Sequence, residues 1–205
     1  MNDDYLDNYL QEKGITLELH LAHFRSALAS DEVVKLPSAV IATVLALDVL
    51  PPDWACAIAL DRPKVTITQK MIDAVCKDAT AALLVADKCM GTDLITSDQH
   101  NQLISAVLAD ADAAYCFLLS VSVTDFVKSG QYPWPDMQPF VNIIATSAQH
   151  SLLSLQKFYL KLTPDQRQQF VNTVATDPHY AQYALWEPKS LTEDQINQLK
   201  AVINV

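Results

Sequence analysis

Glycine is scarce: the chain has three in 205 residues, where soluble proteins average about 7%. Glycine-rich phosphate loops and sets of glycine-dependent hairpin turns are therefore not expected. Positive charge is also short, with 14 Lys and Arg against 24 Asp and Glu and a formal net charge of −10. A protein that tracks nucleic-acid phosphates needs the opposite surplus, and an anionic membrane surface is disfavoured on the same ground. Nowhere does the sequence run for about 20 uninterrupted apolar residues, the length a spanning helix needs. The nearest stretch, residues 36–60, is broken by Asp48, Pro51, Pro52 and Asp53. The opening MNDDYLDNYLQEKG is acidic and has no apolar leader core, so a secretory signal is not expected. Cys56, Cys76, Cys89 and Cys116 lie far apart without a CxxC pair. They are expected as reduced, mostly core thiols of a cytoplasmic protein, not as a disulfide framework or metal site.

What remains is a compact composition, half apolar and 19% charged, far from the disordered class. Its alanine, leucine and glutamine favour helices. Within it one string occurs twice: FVNIIATSAQHS at 140–151 and FVNTVATDPHYA at 170–181. MIDAVCKDATAALLVA (71–86) overlays LISAVLADADAAYCFL (103–118) in the same way, sharing Ile72/Ile104, Val75/Val107, Asp78/Asp110 and Ala82/Ala114. The register extends back to Val40, Ile41 and Val44, giving about five units from residue 36 to the end.

Each unit has the same internal order. An apolar trio at i, i+1 and i+4 makes one face of a first helix. A short break follows, often at an aspartate (Asp78, Asp110, Asp177) able to cap a second helix. The second helix carries a small residue at one recurrent place: Ala82, Ala114, Ser151 and Ala181. First helices share a start signal in ITSDQ (95–99), LTPDQ (162–166) and LTEDQ (191–195). Thr96, Thr163 and Thr192 are expected N-caps, with Gln99, Gln166 and Gln195 closing capping boxes. Asp98, Asp165 and Asp194 complement the helix dipole in the first turn, and Pro164 falls at the N1 position that tolerates it. TITQ (66–69) reads as a weaker box of the same kind.

These features predict an all-α chain: a right-handed α-solenoid of about five helix-turn-helix units of 29–32 residues. In period, in the aspartate before the second helix and in the small residue within it, residues 36–205 resemble HEAT-like and leucine-rich-variant helical repeats. The resemblance implies a curved stack that binds another macromolecule, usually without catalysis. Residues 1–35, with amphipathic helices at 3–12 and 15–29 outside the register and a short connector from 30 to 37, are expected to cap the first unit. Lys200, in place of the Ile or Val of other copies, suits a terminal unit.

Candidate contacts follow from departures in the pattern. Between Leu103 and Phe140 the spacing holds about five extra residues, and the connection that carries them is TDFVKSGQYPWP (124–135). Insertions in repeat arrays map to one face, often the binding face, which makes Phe126, Lys128, Tyr132 and Trp134 candidates. The alternative is a loop whose aromatics fold back to seal the gap between units. Tyr180, Tyr183 and Trp186, at i, i+3 and i+6, are either an exposed protein-binding stripe or core packed on the terminal helix. Alignment of Tyr183 with Leu84 favours core. Asn142 and Asn172 either line a peptide-binding groove or form a ladder to loop carbonyls of the next unit.

Catalytic signals are thin. Glu18, His20 and His23 share a helix, but two histidines fall short of zinc's three or four ligands, and Leu17, Leu21, Phe24 and Leu28 turn them towards solvent. His100, His150 and His179 fall in three different units. Cys76 and Cys116 align with leucines and are expected to be buried. No GxSxG, Walker loop or HExxH occurs, and no cofactor or metal is expected. The reading is a non-catalytic, cytoplasmic protein-binding module whose partner presents a basic surface. One alternative is an acidic inhibitor of the immunity or nucleic-acid-mimic type, with its acids crowded on one face. The other is an enzyme or small-ligand protein with a pocket near the N-terminal helices.

Overall fold

The computed structural model describes residues 38–61, 65–123, 136–186, 188 and 191–203. The expected N-terminal cap (1–35) and the insertion 124–135, with Phe126, Lys128, Tyr132 and Trp134, lie outside them. Among the described residues the fold is all-α: eleven α-helices, one 3-10 turn and no strand. None of these helices is long and apolar enough to cross a membrane. The chain divides into two compact units that meet in sequence between Val107 and Leu108.

The first unit holds α1 (Ser38–Ala46), α2 (Pro52–Asp61), α3 (Gln69–Val75), α4 (Ala79–Cys89) and α5 (Ser97–Val107). Here α2 packs on α1, α3 and α4, while α5 packs on α3 and α4. The second holds α6 (Ala111–Val123), α7 (Met137–Ile144), α8 (Ala148–Phe158), a 3-10 turn (Tyr159–Lys161), α9 (Pro164–Val174), α10 (Pro178–Trp186) and α11 (Glu193–Ile203). In it α7, α9 and α11 touch in succession as one row, and α6, α8 and α10 as another.

Local chemistry explains where helices start. In all three Thr-x-Asp-Gln segments the threonine hydroxyl accepts the glutamine N–H (3.2–3.3 Å) while the glutamine Oε1 accepts the threonine N–H (2.9–3.0 Å). Pro164 opens α9. The weaker box is corrected. Thr68, not Thr66, caps α3, its hydroxyl accepting from Met71 N–H, so Gln69 is the first residue of the helix and its side chain is left for other work.

Second helices begin as expected. Asp78 and Asp110 each accept the N–H three residues on at 2.8 Å, Asp177 accepts from His179 at 2.9 Å, and Ser147 does the same job for His150. The four caps also offer their carbonyls to the N–H groups of Ala82, Ala114, Ser151 and Ala181. Those four small residues are fully buried, so helices approach there without a void, where one extra side chain would overpack the site.

The apolar trios form the seam between first and second helices. Ile72, Val75, Leu103, Val107, Phe140, Val141, Ile144, Phe170, Val171 and Val174 are all buried, each aliphatic or aromatic side chain contributing about 1.5–3 kcal/mol. Phe140 stacks on Phe117 of α6 with centroids 5.6 Å apart. In α11 Leu199 is buried and Lys200 exposed. Gly91, at φ 70°, ends α4 one residue after Met90, a left-handed position that glycine takes without steric cost.

Candidate functional site

Polar residues recur as regularly as apolar ones. In the second unit, Gln138 and Asn142 sit one turn apart on α7, facing Gln166 and Gln169 on α9. Gln138 Nε2 donates to Asn142 Oδ1 (2.8 Å) and to Gln169 Oε1 (3.2 Å). Gln166 Nε2 donates to Gln138 Oε1 (3.2 Å), and Gln169 Nε2 to Asn142 Oδ1 (3.3 Å). The same four bonds recur between α9 and α11, with Gln168 and Asn172 facing Gln195 and Gln198 at 2.9–3.0 Å. In the first unit Gln69 and Asp73 of α3 face Gln99 and Gln102 of α5 at 2.8–3.2 Å.

The capping-box glutamine therefore does two jobs. Its Oε1 closes the N-terminus of its own helix, and its Nε2 reaches back to the preceding first helix. Burying a glutamine costs little when each polar atom has a partner, and Gln166 and Gln195 are buried in this way. We call each set of four residues a polar clamp.

Asn142 and Asn172 thus bond glutamine side chains of the adjacent first helix, not the loop carbonyls expected for a ladder. Each Oδ1 accepts two bonds within the clamp. The signal was present in sequence as Gln-x3-Asn/Asp followed about thirty residues later by Gln-x2-Gln, and an alignment of the polar positions would have found it.

The aromatics of α10 correct another expectation. Ala181 and Ala184 face the core, while Tyr183 is 38% and Trp186 65% exposed; Tyr180 is half-buried. His179, Tyr183 and Trp186, at i, i+4 and i+7, form a row on the outer face. Successive centroids lie 4.7 and 4.4 Å apart in edge-to-face geometry, the arrangement aromatic quadrupoles favour. Leu84, the residue that suggested burial of Tyr183, is itself 43% exposed. Trp186 aligns with Asp87 and Gln156, both exposed, which marks its position as outward.

Other reactive groups have structural uses. His150 Nε2 lies 3.1 Å from Asp112 Oδ1, and its Nδ1 lies 3.0 Å from Ser147 Oγ. The row has the order of a nucleophilic triad, but Ser147 stands where Asp78, Asp110 and Asp177 cap other second helices, and capping accounts for it. The His150–Asp112 contact ties α8 to α6. Cys56 and Cys89 are buried, whereas Cys76 and Cys116, expected to be buried, are half-exposed; none of the four is in a disulfide. Burial raises the thiols of Cys76, Cys89 and Cys116, with carboxylates adding to the rise at Cys76 and Cys116. These groups stay protonated and are poor nucleophiles at neutral pH. Among the described residues no group of three or more His, Cys, Asp and Glu could hold a metal. The chain matches no family model, no curated protein and no solved structure.

Proposed function

We propose that this chain is a non-catalytic protein-binding module, a right-handed α-solenoid of HEAT-like hairpins whose partner carries a basic surface. The polar clamp, repeated with the same four bonds at α3/α5, α7/α9 and α9/α11, supports this reading. It fixes the register of successive first helices without creating a reactive group, as a scaffold that presents a surface requires. The formal charge of −10 favours a cationic partner and a salt-dependent encounter. Asp98, Asp165 and Asp194 sit at equivalent helix starts, where each complements its own helix dipole.

Capture from the native cell at low ionic strength, followed by binding of the purified pair, tests the reading. The expected partner is a protein with a basic face, released as screening shortens from about 10 Å at 0.1 M salt to about 3 Å at 1 M. A thermal-shift screen against metals and nucleotides runs beside it. A large, specific shift with one of these, and no direct protein partner, would replace this reading with the small-ligand one.

A further inference from the structure

The clamp bonds reveal which helix ends lie together in the second unit. Gln168 of α9 bonds both Gln195 and Gln198 of α11, and Asn172, one turn further on, bonds Gln198. The bonds climb both helices in the same sense, so α9 and α11 run parallel and their N-termini share an edge. The turn 159–163 joins α8 to the start of α9, and residues 187–192 join α10 to the start of α11. The C-terminal end of α8 therefore lies on that edge, and α10, which packs on α8 and on α11, ends with six residues between it and the start of α11.

This edge is apolar where solvent contact predicts polar residues. Leu160 is 88% exposed and Trp186 65% exposed, and the rings of Tyr183 and His179 extend the apolar strip along α10. Exposed carboxylates stand at the adjoining helix starts: Asp165 on α9, and Glu193 and Asp194 on α11. Among the described residues two cations share the edge. Lys161 is exposed, and Arg167 donates to Leu162 O and lies 4.2 Å over the Tyr159 ring.

We infer that this edge is a docking surface for a protein segment that presents an arginine or lysine beside an apolar side chain. The inference rests on the protein-binding reading and names the surface and its chemistry. Trp186 stays 65% exposed beside Tyr183, so much of the indole is open to a partner, and tryptophan is the strongest aromatic acceptor for a cation. The partner's cation lies on that face, its apolar side chain meets Leu160, and the three carboxylates balance the charge. The same carboxylates repel an anionic membrane. The net charge of −10 opposes a second copy of the chain, which would bring like charge against like.

Trp54, Trp134 and Trp186 give three indole N–H signals in a 15N-correlated spectrum, and Trp186→Phe assigns the third. The probe is a twelve-residue peptide alternating arginine and leucine, with its glutamate–leucine counterpart as control. The expected result is a shift of the Trp186 signal by the arginine peptide alone. Affinity should fall at least tenfold in Trp186→Ala and several-fold in the triple variant Asp165→Asn, Glu193→Gln, Asp194→Asn, with helicity unchanged by circular dichroism. Undiminished affinity in Trp186→Ala, or equal binding of the glutamate peptide, overturns the assigned surface. A dimer that dissociates on Trp186→Ala makes the occupant a second copy and overturns it too. In each of these cases the wild-type capture experiment still decides the protein-binding reading separately. Absence of any protein partner there defeats that reading whatever the peptide does.

Discussion

The clamp of the first unit and the two of the second share one geometry and differ in one atom type. Asp73 Oδ1 accepts from Gln69 and Gln102 at 2.8 and 2.9 Å. Asn142 and Asn172 accept the equivalent pairs at 2.8–3.3 Å. The site asks only for an acceptor oxygen one turn beyond a glutamine, and a carboxylate or an amide supplies it. Charge makes the difference. Hydrogen bonds from Gln102 and then Gln69, aided by Lys77, hold the Asp73 carboxyl below its ordinary value of 3.8, whereas the asparagines do not titrate. The second unit also buries its capping-box glutamines, while Gln99 is half-buried.

The sequence carries no clamp from α5 to α7. Asn101 and Ser105 occupy the donor-side positions of α5, with Ser105 Oγ donating to Asn101 O at 2.9 Å. Asp136, the N-cap of α7, and Pro139 within it stand where α9 has Gln166 and Gln169. Proline offers no side-chain hydrogen bond.

The largest effect expected from mutation separates the two units by a matched pair. Trp54, in the first unit, is 1% exposed, and Trp54→Ala should cost about 3–5 kcal/mol. Trp186→Ala, in the second, should stay within about 0.5 kcal/mol. Urea unfolding measures both, and comparable losses would contradict the burial assigned to either residue. Helix starts come next. Thr96→Ala and Thr163→Ala should each cost about 1 kcal/mol, and a box that functions as a cap in only one unit would leave the other variant at wild-type stability.

Clamp bonds rank below the caps because their amides are partly exposed. A double-mutant cycle on Asn172 and Gln198 should give a coupling of about 0.5–1 kcal/mol, and zero coupling would reduce the clamp to a surface contact. The smallest effect sharpens the comparison most. Because folding lowers the Asp73 pKa, its contribution is complete above the ordinary carboxylate range and fades as pH falls through the depressed value. Asp73→Asn should therefore lose its stability difference from wild type as the solution is acidified. Asn172→Asp should add a new acid-sensitive increment in the second unit. Parallel stability–pH curves for wild type and Asp73→Asn would show that the carboxylate is not engaged.

Helix starts were legible because a cap bond spans three residues and competes with nothing distant. The same holds for Asp78, Asp110 and Asp177, and for the small residue four positions after each cap, placed by the turn that the cap begins. Thr66 misled because its box, though correct in spacing, competed with Thr68, whose capping frees Gln69 for a partner on α5. Local spacing could not reveal that competition. Tyr183 misled differently: it does share the environment of Leu84, as alignment said, but that environment is solvent.

The chain's own order of residues thus determined that it is helical, where most of its helices begin, and which apolar positions repeat. These follow from bonds and periodicities closed within one or two turns. Only the tertiary structure decided which glutamine meets which asparagine, whether an aromatic faces core or water, and how a cap residue spends its second polar atom. Those outcomes depend on side chains 26 to 33 residues apart, and packing, not sequence proximity, brings them within bonding distance.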